Sequence, residues 1–78
     1  MSTLARQVTM KRTAVISRLK KAAKKQGLFF AEYELTNHTG IKVGGTASTL
    51  SRHSEIDDVT AGKFFDQFAS ELGKGWWR

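Results

Sequence analysis

Thr60-Ala61-Gly62-Lys63-Phe64-Phe65-Asp66-Gln67-Phe68-Ala69-Ser70-Glu71-Leu72 carries the strongest periodic signal in the chain. Ala61, Phe64, Phe65, Phe68, Ala69 and Leu72 recur at i, i+3, i+4, i+7, i+8 and i+11, the spacing of one face of a helix. Three phenylalanines on that face make the segment the main donor to a core. Asp57, Asp58 and Thr60 are each suited to cap its start, and Gly73 ends it.

Upstream the period changes. Ser54 to Val59 is an acidic connection. Thr46 to Arg52, with β-branched Thr46 and Thr49 and apolar Leu50, predicts a strand, Gly44-Gly45 a tight turn, and Ile41-Lys42-Val43 a short strand. Thr36 to Gly40 is turn-like. Leu28 to Leu35 alternates, with Phe29, Ala31, Tyr33 and Leu35 on one side and Phe30, Glu32 and Glu34 on the other. That phase makes Phe29, Ala31, Tyr33 and Leu35 the apolar side and leaves Phe30 to the open face of the sheet. Further upstream, Thr13 to Gln26 predicts a second helix with Thr13 as its cap and Gly27 just past its end. At 100° per residue, Val15, Ile16, Leu19, Ala22 and Ala23 cover an arc of roughly 120°. Arg18, Lys20, Lys21, Lys24 and Lys25 occupy the other side.

The order is α-β-β-β-α, an α+β domain: a three-stranded antiparallel sheet with two helices on one face and the other face open. Residues 1–12 lack periodicity and read as an N-terminal arm, with Met10 a second plausible start. Residues 13–73 form the single domain, and residues 74–78 a C-terminal tail. A chain of 78 residues leaves space for one small core.

Cysteine is absent, which excludes disulfides and thiolate metal sites. No apolar run approaches the roughly 18 residues of a membrane span, and Met1 to Met10 lacks the continuous apolar stretch of a signal peptide. A cytoplasmic protein is expected. The net charge is +6 and the pI about 10.1. Met1 to Gly27 holds eight cations and no acid; the remaining five cations are outnumbered by seven acids. Such a one-sided field favours a polyanion, RNA or DNA, or an acidic protein. It also suits a solvated helix face, and Lys24 and Lys25 suit the negative end of the helix dipole.

Only two histidines are present, His38 and His53. Imidazole exchanges protons near neutral pH. Cleaving RNA without a metal needs the 2′-hydroxyl deprotonated, the phosphate charge stabilised and the leaving oxygen protonated. His38, His53, Lys42, Arg52 and the first helix supply those parts. The structural alternatives are a turn histidine whose ring caps a hairpin or packs on Tyr33 for His38, and a strand-end histidine held by Glu55 or a backbone group for His53. Two histidines with the scattered acids Glu55, Asp57 and Asp58 do not make a metal-ligand set, and no cofactor is expected. Neither a nucleophile elbow nor a phosphate-binding Gly-rich Lys loop occurs. Trp76-Trp77-Arg78 has three readings: stacking on bases, folding back over the core, or meeting a partner.

The histidine segments resemble the HicA-type (YcfA-like) mRNA interferase toxins, small basic proteins with the fold of double-stranded-RNA-binding domains. The resemblance spans about residues 13–73. It lies in Lys24-Lys25-Gln26-Gly27-Leu28-Phe29, in Thr36-Asn37-His38, and most specifically in Leu50-Ser51-Arg52-His53-Ser54-Glu55-Ile56 with Thr60-Ala61-Gly62-Lys63 after it. Thr36-Asn37 stands where the family usually has Gly-Ser, and Ser51 where it has proline. The resemblance implies a metal-independent endoribonuclease that cleaves mRNA, blocks translation and is neutralised by a cognate HicB-type antitoxin. It implies His38 as the catalytic residue and His53 as a supporting or substrate-contacting one. The charge distribution, apart from the resemblance, offers Arg18, Lys20, Lys21, Lys24, Lys25, Lys42 and Arg52 to hold RNA. The alternatives are a non-catalytic RNA- or DNA-binding module of the same fold and a domain that binds an acidic protein. For duplex RNA, the cluster Lys20-Lys21-Ala22-Ala23-Lys24 lies on the first helix rather than at the start of the second, where double-stranded-RNA-binding domains usually carry it.

Overall fold

The computed structural model describes residues 9–78. The elements in order are β1 (Thr9–Lys11), α1 (Arg12–Lys25), β2 (Phe30–Glu34), β3 (His38–Val43), β4 (Thr46–Ser51), β5 (Glu55–Asp57), α2 (Asp58–Asp66) and α3 (Ala69–Leu72). Strands β2, β3 and β4 form the expected antiparallel meander in the order β2-β3-β4. A second, two-stranded sheet pairs β1 with β5. The fold is α+β, and the αβββα order lies within it.

One hydrophobic cluster joins the layers. Val15 and Leu19 of α1, Ile41 and Val43 of β3, Phe65 and Phe68 are all fully buried. Ile41 and Val43 alternate with exposed Lys42, so β3 turns one face to the helices and one to solvent. Thr46 Oγ1 donates to Glu71 Oε2 at 2.9 Å, and the Ser48 hydroxyl hydrogen-bonds Gln67, which ties β4 to the end of the α2–α3 layer. Gln26 Nε2 donates to the Leu72 carbonyl at 3.2 Å and joins the C-terminal ends of α1 and α3.

Six expectations change in the structure. The acidic connection Ser54 to Val59 is taken up by β5 and by the start of α2 at Asp58. Thr9 to Lys11 belong to a strand rather than to a loose arm: Thr9 pairs with Asp57, Met10 with Ile56 and Lys11 with Glu55. The arm's residues 1–8 lie outside the described residues. Because β1 runs straight into α1, the helix starts at Arg12, and the Ser54 carbonyl accepts the Arg12 N–H at 2.9 Å. The capping position falls to Lys11 rather than Thr13, and no side chain caps the helix.

The phase of β2 is inverted. Phe30 lies opposite Val43, Glu32 opposite Ile41 and Glu34 opposite Thr39, so this set shares the helix-facing side. Phe30 packs against the core, whereas Phe29 is 62% exposed and Tyr33 41%. A one-residue shift of phase exchanges the two faces of a strand. β3 is also longer than expected. It begins at His38, which leaves only Thr36 and Asn37 as the hairpin loop.

The phenylalanine helix breaks after Asp66. Gln67 N–H bonds the Phe64 carbonyl at 3.2 Å and Phe68 N–H the Phe65 carbonyl at 3.0 Å, a tightening to the i+3 pattern. The same Phe65 carbonyl accepts Trp76 Nε1 at 3.0 Å. The tail folds back over the core, as one of its three readings anticipated. Trp76 meets Phe65 edge-to-face and Trp77 lies tilted against it, with ring centroids 5.2 and 5.6 Å away, and Trp77 Nε1 donates to Asp66 Oδ1 at 2.9 Å. The Trp77 ring also lies over Gly62, where a Cβ would come within 3.1 Å of it. The indoles are thus engaged within the fold.

Of the candidate caps, Asp57 is the one used for α2. Its carboxylate accepts Thr60 N–H at 3.1 Å and Thr60 Oγ1 at 2.7 Å. Those bonds, the hydroxyl first, hold the Asp57 carboxyl below its ordinary range. At the β1–β5 pair, Glu55 accepts from Lys11 Nζ and Thr9 Oγ1, both at 2.7 Å. The hydrogen bond from Lys11 comes first in lowering Glu55, and its counterpart raises Lys11.

Candidate nucleic-acid interface

Two surfaces carry the candidate residues, and the sheet lies between them. The first is the outer side of α1. Val15, Ile16, Leu19 and Ala23 bury the inner side, so Arg18, Lys20, Lys21, Lys24 and Lys25 are exposed. Lys20, Lys21, Lys24 and Lys25 make no salt bridge or side-chain hydrogen bond among the described residues, whereas Arg18 Nη1 donates to the Trp77 carbonyl at 3.3 Å. A shallow depression lined by Ala14, Ser17, Arg18 and Lys21 marks this side of the helix.

The second surface is the open face of the sheet. Register defines it. Tyr33, Gly40 and Thr49 stand in one row, Ala31, Lys42 and Ala47 in the next, and His38 opposite Ser51 in a third. The Tyr33 ring lies across the Gly40 backbone, where any Cβ would clash with it, and this buries Gly40 beneath an exposed aromatic. His38 is exposed at the start of β3, and the four-residue step to Lys42 spans about 13 Å of strand. His53 follows β4 at the same end of the sheet, two residues beyond Ser51, the partner of His38. Neither imidazole takes part in a hydrogen bond or salt bridge among the described residues. The bland alternatives of a ring held by Glu55 or by a backbone group therefore have no bond behind them.

Arg52 is placed differently from the other candidates. Its guanidinium hydrogen-bonds the carbonyls of Leu35, of Thr36 at 3.4 Å and of His38 at 3.2 Å. It also pairs with Glu34 Oε1 at 2.7 Å. Arg12 works from beneath the same corner. Its Nε donates to the Ser51 carbonyl at 3.2 Å, and its Nη2 to Thr39 Oγ1, which is fully buried. Thr39 Oγ1 in turn donates to Glu34 Oε1 at 3.5 Å. The sequence reading passed over Arg12, Thr39 and Glu34. One signal for Arg12 was available: Val15, Ile16 and Leu19 lie at i+3, i+4 and i+7 from it, which sets its side chain on the buried arc.

The structure therefore gathers Lys20, Lys21, Lys24 and Lys25 on one side, with Arg18 at their edge. It sets His38 and Lys42 on the other. The α1 cations do not share a face with His38. No helix among the described residues is long and apolar enough to cross a membrane. No family model matches the chain, and no curated protein and no solved structure matches it significantly.

Proposed function

We propose that this chain is a metal-independent endoribonuclease of the mRNA-interferase kind, the toxin of a cytoplasmic toxin–antitoxin pair, with His38 as its proton-transfer group. One observation carries the reading: His38 stands solvent-exposed on the open sheet face, with an imidazole that no described residue engages. RNA laid across that face brings a 2′-hydroxyl to the ring. His38 takes the hydroxyl proton, and the 2′-oxygen bonds to the adjacent phosphorus as the bond to the 5′-oxygen breaks. That leaving oxygen takes a proton from a second acid, for which His53 is the candidate. Lys42, about 13 Å along the strand, meets a neighbouring phosphate. Dependence on the 2′-hydroxyl restricts cleavage to RNA.

The partner proposal rests on the same face. Phe29, Tyr33 and Leu35 are 62%, 41% and 42% exposed, an apolar row that a protein such as a HicB-type antitoxin would cover.

Purified wild-type protein should cleave single-stranded RNA in the presence of a chelator and leave its 2′-deoxy counterpart intact. Intact RNA with wild-type protein sinks the nuclease reading. A non-catalytic RNA- or DNA-binding module is then the better reading, favoured by the four lysines of α1 that pair with nothing among the described residues. It is recognised by binding of both nucleic acids with steep loss of affinity in salt.

A further inference from the structure

We infer that Arg52 is a positioning residue for the His38 corner, a clamp on the β2–β3 turn, rather than a ligand for RNA phosphate. The turn itself supplies the first reason. Two-residue hairpin loops favour glycine or an Asn-Gly pair, whose backbones match the twist of the strands. The loop here is Thr36-Asn37, without glycine. Leu35 N–H still reaches the His38 carbonyl at 2.8 Å. The guanidinium then gathers the carbonyls of Leu35, Thr36 and His38 from the side of β4.

The second reason is that one nitrogen of the guanidinium is already filled. Arg52 Nη2 alone faces two of those carbonyls and the Glu34 carboxylate. A phosphate at Nη2 would have to displace acceptors that hold the turn. A lysine could not reproduce the set, because four acceptors are divided between Nη1 and Nη2, and an ammonium brings three protons on one nitrogen.

The third reason is what lies behind the clamp. Glu34 also accepts from Thr39, and Thr39 accepts from Arg12, whose Nε holds the Ser51 carbonyl opposite His38. The two arginines grip the corner from two sides through one carboxylate and one buried hydroxyl. The backbone of His38 is thereby fixed while its ring stays in solvent.

The catalytic half of this inference rests on the ribonuclease reading; the structural half does not. The experiment compares Arg52→Ala and Arg52→Lys with the wild-type full chain. It reads amide hydrogen exchange at Leu35, affinity for a single-stranded RNA across a salt series, and cleavage kinetics. A clamp predicts that both variants exchange the Leu35 amide about tenfold faster. It predicts kcat down about ten- to a hundredfold with KM and the salt slope unchanged. A phosphate ligand predicts the reverse. Arg52→Lys then behaves as wild type, and Arg52→Ala lowers the salt slope by about 0.7 with Leu35 exchange unmoved. That pattern overturns the inference. If wild type cleaves nothing, the ribonuclease reading falls and Leu35 exchange decides: acceleration upholds the clamp, no change removes it. If Arg52→Ala does not fold, Arg52→Lys carries the same decision.

Discussion

The outer side of α1 and the corner at the β2–β3 turn are both cationic, yet they use charge in opposite ways. On α1, Lys20, Lys21, Lys24 and Lys25 extend into solvent and pair with nothing among the described residues. At the corner, Arg12 and Arg52 are bound to carbonyls, a hydroxyl and a carboxylate. The division follows chemistry. A flexible ammonium is a point charge suited to a mobile polyanion, whereas a guanidinium fork suits fixed acceptors. The chain's +6 therefore overstates, in one sense, the charge offered to a ligand. What counts is which cations are already engaged.

Four variants break or sharpen that contrast, and the largest effect erases it. Phe65→Ala removes a fully buried ring against which both tryptophans pack, at a cost of about 3–5 kcal/mol. A domain of this size has a total stability of about 4–12 kcal/mol. Urea unfolding should show most of it gone, and both surfaces should fail together because they share one core. Next in size is His38→Ala, which should slow RNA cleavage by about a hundredfold or more while leaving the melting temperature and the salt slope of binding in place. An unaltered rate would remove His38 from the chemistry.

Replacing Lys20, Lys21, Lys24 and Lys25 together by glutamine should act only on affinity. For single-stranded RNA the slope of log affinity against log salt should fall by about 3, with the rate at saturating RNA preserved. If the rate drops as well, the two faces are coupled. The smallest effect is on stability alone. Asp57→Asn keeps a capping oxygen for α2 but loses the carboxylate. The Asp57 carboxyl titrates below its ordinary range in the folded chain, so its contribution is present above about pH 4 and lost as pH falls through the lowered value. The variant should lose less melting temperature on acidification than wild type, with a residual slope from Glu55, which is lowered too.

How far the sequence disclosed all this depended on range. Helical faces were legible, because Val15, Leu19, Phe65 and Phe68 repeat at local spacings that need no partner. The three-stranded sheet was legible from its turns. The phase of β2 was not, since apolar residues stand at both phases of Leu28 to Leu35 and only pairing with Ile41 and Val43 chooses between them. The helix break after Asp66 was hidden because the apolar spacing runs through it unbroken, and the indole that meets the Phe65 carbonyl there comes from the tail. β1 was hidden because a three-residue strand has no period, and its partner lies more than forty residues away. The corner that holds His38 was illegible for the same reason: Arg12, Glu34, Thr39 and Arg52 meet only after folding.

The folded-back tail has a spectroscopic consequence. Trp76 and Trp77 are the only tryptophans in the chain, and both rest on Phe65 of the helical layer. The Trp77 carbonyl is also bonded to Arg18 at the edge of the lysine row. Intrinsic tryptophan emission is thus a local gauge of one side of the molecule. A polyanion settling on α1 should change its intensity. A ligand confined to the open sheet face should leave it still, detectable instead through Tyr33, the chain's one tyrosine.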